Sequence, residues 1–133
     1  MLVVEDEPLV AFDTEHFLSS EGFEIAATVD TIAEAIGLVA AEEALDLILV
    51  DVNLADGSGV EVARAAHGRG VPVLFVTGSC PGDARALAAG CLSKPYAQRD
   101  LLSAISAIET VLEGGKVPRR LPPSFNLFLD PGA

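Results

Sequence analysis

Basic residues, cysteines and long apolar runs are all scarce in this sequence, and each scarcity excludes a class of protein. Eight lysines and arginines stand against 20 aspartates and glutamates among 133 residues, a formal net charge of −12. Binding to nucleic acid or to an anionic membrane needs a basic surface, so neither partner is expected. No apolar run approaches the length of a membrane span. The acidic start MLVVEDEP also lacks the basic region of a secretory signal.

The two cysteines, Cys80 and Cys91, are too few for a disulfide framework. We therefore expect a reduced, cytoplasmic protein in which both are small buried or half-buried side chains. Half of the residues are hydrophobic, which excludes a disordered chain. A chain of this length is expected to fold as one domain with a substantial core.

Short apolar runs alternate with longer amphipathic stretches. Strands are predicted over residues 2–4, 23–29, 45–50, 71–77 and 90–93. Helices are predicted from Pro8, from a cap at Asp30 or Thr31, from near Ser58 with Asp56 as its cap, over 83–89, and along the stripe Leu101 to Leu112. The alternation predicts an α/β fold: a doubly wound, five-stranded parallel sheet of flavodoxin-like order 2-1-3-4-5, with helices on both faces.

The last nineteen residues differ from the rest, with four prolines and the adjacent pair Arg119 and Arg120. We predict a domain over 1–114 and a C-terminal tail over 115–133. The tail is either a loosely attached terminus or a docking segment. The docking interpretation depends on apolar side chains that are unfavourable in water: Phe125, Leu127, Phe128 and Leu129.

Acidic, hydroxyl and basic side chains follow the predicted strands where each strand ends. Glu5 and Asp6 follow the first strand, and Asp51 follows the third. In the order 2-1-3-4-5, ligands bind where the strand order reverses, between strands 1 and 3. Three carboxylates are therefore expected in one crevice. Strands 4 and 5 bring Thr77 and Lys94 to the same edge.

Clustered carboxylates repel one another, and a cation relieves the repulsion. Mg²⁺ suits this role because it binds one or two carboxylates together with phosphate oxygens. A metal, Lys94 and the Thr77 hydroxyl can each take one oxygen of a transferring phosphoryl group. Asp51 is the predicted nucleophile and forms an aspartyl phosphate. Singly, each of these residues is better explained as a cap, turn or loop residue, so the prediction depends on their combination.

These motifs resemble the receiver domain of two-component response regulators. The resemblance covers about residues 2–114, through VVEDEP, LILVDVNLADGSG, VLFVTG and LSKPY. It implies that Asp51 accepts a phosphoryl group from a phosphohistidine of a sensor histidine kinase or a histidine phosphotransfer protein. It also implies that Asp6, Asp51 and the backbone carbonyl of Asn53 hold Mg²⁺, with Glu5 acting through water.

The resemblance further implies that Lys94 binds the phosphoryl oxygens and that Thr77 moves toward the phosphoryl group as the switch. Receivers commonly carry an aromatic switch residue three positions before the lysine, and that switch position is Cys91 here. The stretch FVTGSC is similar to a receiver subgroup reading near FATGY, which also lacks the aromatic switch. Gly57 and Gly59 are expected to shape the turn after the third strand.

The leading hypothesis is a phosphoacceptor that signals to a downstream protein by conformational change, as a single-domain regulator or as part of a larger protein. Its output face is expected at the fourth helix, fifth strand and fifth helix. One alternative is a receiver-like interaction module that is not phosphorylated. Another is a Mg²⁺-dependent aspartyl phosphohydrolase, which would need an acid where Asn53 stands. A flavin-binding protein is disfavoured by the acidic first loop, EDEP.

Overall fold

The computed structural model describes residues 1–41, 45–80, 82, 86–117 and 120–129. In chain order its strands are β1 (Leu2–Val4), β2 (Ala27–Val29), β3 (Ile48–Val50), β4 (Asn53–Leu54), β5 (Gly57–Ser58), β6 (Val73–Thr77), β7 (Gly90–Ser93) and β8 (Phe125–Leu127). The helices are α1 (Pro8–Ser20), α2 (Ile32–Ala41), α3 (Val60–Gly68) and α4 (Gln98–Leu112). No helix in this part of the chain is long and apolar enough to cross a membrane.

One six-stranded sheet, of order β2-β1-β3-β6-β7-β8, organises the fold. Its first five strands are parallel, which confirms the five predicted strands and their order. The side chains of β1, β3 and β6 are buried throughout, as continuous apolar runs in the middle of a parallel sheet should be. Strand β2 lies at an edge and is shorter than the predicted 23–29.

Successive side chains of a strand point to opposite faces, so the sheet separates two cores. Val50 and Phe75 belong to one core with residues of α2 and α3. Leu49 and Leu74 belong to the other with residues of α1 and α4, among them Ile105. Both faces of the central strands are therefore covered, and the carboxyl ends of the strands stay open for a site.

The tail adds the sixth strand, β8, antiparallel to β7, which was not predicted from the sequence. Phe125 is buried and packs where Gly90 has no side chain, since a Cβ on Gly90 would lie 2.6 Å from the Phe125 ring. The amide of Phe128 donates to the Ala89 carbonyl at 2.9 Å. The described part of the tail thus contributes a strand to the sheet of the domain. The boundary at residue 114 between domain and tail stays a prediction.

The segment between β6 and β7 was predicted to hold a fourth helix over 83–89. Residues 83–85 lie outside the described residues, and 86–89 form a turn and irregular backbone. The amide of Ala89 already donates to the Val73 carbonyl at 2.8 Å. The chain is therefore entering the sheet where the helix was expected to end.

The prediction of two reduced cysteines is wrong, because Cys80 and Cys91 form a disulfide with their Cα atoms 6.2 Å apart. The prediction that both are at least half-buried is confirmed, and Cys91 is fully buried. Cys80 follows β6 and Cys91 lies within β7, its neighbour in the sheet. The pairing of β6 with β7 brings the two cysteines together. Their spacing in the sequence does not indicate this contact.

Candidate functional site

Three carboxylates meet at the ends of β1 and β3, as expected. Carboxylate oxygens of Glu5, Asp6 and Asp51 all lie within 4.8 Å of one another. The cause is sheet register: Val4 pairs with Val50, and the amide of Asp51 donates to the Val4 carbonyl at 3.1 Å. Glu5 is 6% exposed and Asp51 is 8% exposed. Buried like charges this close need a positive partner.

Lys94 supplies that partner from the end of β7. Its Nζ donates to Glu5 Oε1 and to Asp51 Oδ2, at 2.9 Å in each case. Its own amide donates to the Thr77 carbonyl at 2.8 Å, which fixes the lysine beside β6. The following peptide bond, to Pro95, is cis. The ammonium group thus bridges the carboxylates that follow two neighbouring strands.

The proton affinities of Glu5 and Lys94 reflect this arrangement. Burial raises the pKa of Glu5 above its ordinary value, although the hydrogen bond and the charge of Lys94 act in the opposite direction. Burial alone would lower the pKa of Lys94. Its hydrogen bonds to Asp51 and Glu5, and their charges, raise that pKa well above the ordinary lysine value instead. Lys94 therefore stays a cation across the physiological range.

The hairpin β4–β5 shapes the loop after Asp51. The amide of Asn53 donates to Asp51 Oδ1 at 3.0 Å, so the two oxygens of Asp51 are held separately, one by Asn53 and one by Lys94. Gly57 has φ +143°, which L side chains rarely adopt. At Gly59 a Cβ would overlap the Asp51 carbonyl oxygen. The tight turn expected from these two glycines is therefore present.

Asp56 was predicted to cap the third helix, and that prediction is wrong. Its carboxylate instead accepts hydrogen bonds from the amide of Ile32, at 3.0 and 2.9 Å, and from that of Ala33 at 3.4 Å. Those amides belong to the first turn of α2, where the intrahelical ladder leaves them unpaired. Thr31 caps the same helix, accepting from the Glu34 amide at 3.2 Å. Asp56 thus joins the hairpin to α2.

Thr77 and Cys91 occupy neighbouring strands near this edge. Thr77 is fully buried, and its hydroxyl lies 3.4 Å from both the amide nitrogen and the carbonyl oxygen of Ser79. Cys91 pairs with Phe75 in the sheet, and its sulfur is bonded to Cys80. The predicted switch residues are therefore connected to the turn that follows β6.

An open groove of about 510 Å³ runs from Lys94 along α1 and the start of α4. Tyr96 and the α1 residues Val10, Thr14 and Phe17 line it. Burial raises the pKa of the Tyr96 phenol. Tyr96 packs against the core on the α4 face. The groove reaches the carboxylate cluster only through Lys94, whose ammonium group contacts Glu5 and Asp51.

The chemistry of this site suits a cation and a phosphoryl group together. Carboxylates are the hard oxygen ligands that Mg²⁺ prefers, and three are close enough to share one ion. Lys94 adds a charge that can neutralise phosphoryl oxygens. The roles predicted for the individual site residues stay predictions.

Comparison with known proteins agrees with this geometry. The response regulator receiver domain model matches residues 1–106. The cell cycle transcriptional regulator CtrA of Caulobacter vibrioides is 31% identical over 115 residues, 81% of this chain and 49% of that protein. The phyllosphere-induced regulator PhyR of Methylorubrum extorquens is 35% identical over 79 residues, 58% of this chain and 30% of that protein. The chain thus spans half or less of the length of these relatives.

Solved structures show the same fold. A CheY-like receiver domain protein from Methanospirillum hungatei aligns with TM-score 0.71 and 29% identity, covering 79% of this chain and 88% of that one. The receiver domain of a modulated diguanylate cyclase from Desulfovibrio desulfuricans aligns with TM-score 0.69 and 31% identity, with the same coverage. Sequence, fold and the acidic cluster agree, and the chain belongs to the response regulator receiver domain family.

Proposed function

We propose that the chain is a phosphoacceptor in a two-component phosphorelay. Asp51 takes the phosphoryl group from a phosphohistidine of a sensor histidine kinase or a histidine phosphotransfer protein. Receiver domains interact with such kinases, with phosphotransfer proteins and with downstream partners, and they are generally non-enzymatic signalling modules. For this chain we propose self-catalysed transfer and autodephosphorylation at most, in the cytoplasm, with an unidentified protein as the downstream partner.

The observation that carries this proposal is the way Asp51 is held. Its carboxylate lies at the open end of β3, with Lys94 Nζ 2.9 Å from one oxygen and the Asn53 amide 3.0 Å from the other. In transfer, an Asp51 oxygen forms a bond to phosphorus while the bond from phosphorus to the imidazole nitrogen breaks. Lys94 is close enough to contact the phosphoryl oxygens, which carry the negative charge after transfer.

Magnesium is the cofactor that this site suits. Receiver domains generally bind Mg²⁺ at an acidic pocket, and Glu5, Asp6 and Asp51 form an acidic group here. We propose that Asp6, Asp51 and the Asn53 backbone carbonyl hold the ion, with Glu5 acting through water. The bound ion supplies positive charge that neutralises phosphoryl oxygens in transfer. The chain's part is to keep the carboxylates converged, which the pairing of β1 with β3 does.

Signal output is proposed to start at Thr77. Its hydroxyl faces the backbone of Ser79 and has to leave that contact to reach a phosphoryl group on Asp51. The segment after β6 would move with the Thr77 hydroxyl. This movement biases an equilibrium between two conformations at the face formed by that segment, β7 and α4. The groove beside Lys94 is the proposed approach of the phosphodonor protein, because it is lined by Lys94, whose ammonium group contacts Asp51.

Intact-mass spectrometry tests the proposal. The protein is incubated with Mg²⁺ and acetyl phosphate, and one phosphoryl group is expected per chain. Asp51→Asn should gain none, whereas Asp46→Asn, which changes an exposed aspartate two residues before β3, should gain as much as the parent protein. Phosphorylation of folded Asp51→Asn would contradict the assignment of Asp51. Absence of phosphorylation in the folded parent, with acetyl phosphate and with a phosphorylated kinase, would favour the interaction-module alternative.

A further inference from the structure

The Cys80–Cys91 disulfide joins the turn after β6 to the middle of the next strand. Cys80 comes three residues after Thr77, the last residue of β6. Cys91 is the second residue of β7 and pairs with Phe75. The Cys80 sulfur also lies 3.9 Å from the Ser93 hydroxyl. The turn over 78–80 is therefore folded back over β7 and fastened there covalently.

This crosslink restrains the turn that holds the Thr77 hydroxyl. That hydroxyl contacts the backbone of Ser79, next to the bonded cysteine, at 3.4 Å. The turn is held by the sheet at Thr77 and by the disulfide at Cys80. Displacing Ser79 to free the hydroxyl has to work against both attachments. Without the disulfide, one of the two attachments disappears and the turn gains conformational freedom.

The two sulfurs differ in access, which sets the order of a reduction. Cys80 is half-buried and Cys91 is fully buried. An external thiolate therefore attacks the Cys80 sulfur, forms a mixed disulfide with it and expels the Cys91 thiolate, which takes up a proton. The second thiol of a dithiol reductant then attacks its own sulfur in the mixed disulfide. Cys80 leaves as a thiolate and is protonated, while the reductant becomes a cyclic disulfide.

We propose that Cys80 and Cys91 form a reversible redox site, reduced by dithiols, that controls whether the turn over 78–80 can release the Thr77 hydroxyl. Disulfides that occur in reducing compartments are generally transient and often sense redox state. The coupling to signalling rests on the proposed phosphoacceptor function, because it assigns the switch to Thr77. The oxidised form holds the turn against β7, and the reduced form lets it move.

The site is tested on the full chain in two redox states, prepared with oxidised glutathione and with excess dithiothreitol. Thiols are alkylated and counted by intact mass, with none expected in the oxidised form and two in the reduced form. Amide exchange of residues 78–80 is then followed by hydrogen–deuterium exchange. We expect it to be about tenfold faster after reduction, because the crosslink is gone. Cys80→Ser removes the disulfide and leaves the buried Cys91 unchanged. Amide exchange of residues 78–80 in this variant should therefore be fast in both buffers.

Phosphorylation by acetyl phosphate and Mg²⁺ is measured on the same samples. A higher rate of phosphoryl gain in the reduced form, with no redox effect in Cys80→Ser, supports the coupling. Equal phosphorylation rates in the two states overturn the coupling and leave the phosphoacceptor function intact. Faster exchange without phosphorylation in either state contradicts the phosphoacceptor function and supports the redox site. A disulfide that never forms, resists dithiothreitol in the folded protein, or opens without changing exchange at 78–80 overturns the proposal.

Discussion

Lys94 Nζ lies 2.9 Å from Asp51 Oδ2 and at the same distance from Glu5 Oε1, so one ammonium group serves two buried carboxylates. Before phosphoryl transfer the lysine therefore has a structural task, which is to make the burial of Glu5 and Asp51 tolerable. In the proposed transfer, the charge that Lys94 faces at Asp51 moves outward to the phosphoryl oxygens.

Replacing Lys94 by methionine should cost both stability and phosphorylation. The substitution leaves two buried carboxylates without their cation, and we expect a loss of about 1–3 kcal/mol in the free energy of unfolding. Urea denaturation at neutral pH measures it. The exposed Lys116→Met is the matched control and should change the free energy of unfolding by less than about 0.5 kcal/mol. Equal stability of Lys94→Met and the parent would show that the ion pairs contribute nothing net.

The contribution of Glu5 to the free energy of unfolding should decrease as pH rises. Because its pKa is raised in the folded state, folding favours the protonated carboxyl. Its contribution to stability is thus fully present below the ordinary glutamate value of 4.5 and is lost as pH rises through the higher folded value. Glu5→Gln has no carboxyl to titrate at this position. As pH rises through this range, its free energy of unfolding should therefore increase relative to that of the parent. Urea titrations from acid to neutral pH test this, with the exposed Glu24→Gln as control.

Loss of the Asp56 carboxylate should loosen α2. Asp56→Ala removes the acceptor of the Ile32 amide, and loss of a helix cap costs about 1–2 kcal/mol. Asp56→Asn keeps an acceptor oxygen and should lose less. The free energies of unfolding of both variants decide the point. Identical values for Asp56→Ala and the parent would mean that water replaces this cap at no cost.

The tail strand should contribute measurably to stability. Phe125→Ala removes a buried ring from β8, and we expect a loss of about 2–4 kcal/mol, because large-to-small changes in a core leave a cavity. Asn126 is the next residue of the same strand and is exposed, so Asn126→Ala should be close to neutral. If both variants unfold like the parent, the tail is a loosely attached terminus in solution.

Thr77→Ala should separate phosphorylation from its conformational effect. Asp51, Lys94 and the acidic cluster remain, so the phosphoryl gain with acetyl phosphate is expected to persist. In the reduced protein, where the turn over 78–80 is free to move, the change in amide exchange that accompanies phosphorylation should be absent from this variant, because the hydroxyl that moves is missing. Thr77→Ser keeps the hydroxyl and should keep the change. A full exchange response in Thr77→Ala would exclude Thr77 as the switch.

Local patterns were enough to predict the central strands and the cluster at their ends. The apolar runs of β1, β3 and β6 are continuous, and the polar residue that follows each run lies at the same edge of the sheet. Features that depend on distant contacts were missed. Asp56 caps a helix 24 residues earlier in the chain, and nothing beside it in the sequence indicates that helix. Cys80 and Cys91 meet only because β6 and β7 are neighbours.

Strand β8 runs opposite to the other strands of its sheet, and this direction decides where the last described residues lie. Ser124 lies beside Ser93, near the end of the sheet that carries the carboxylates. Phe128 lies beside Ala89, toward the opposite end of the sheet. Three residues of strand carry the backbone about 10 Å between them. A fluorescent label attached at Leu129 therefore starts on the side of the sheet remote from Asp51. Such a label leaves the proposed approach of a phosphodonor protein unobstructed while still reporting on the pairing of β7 with β8.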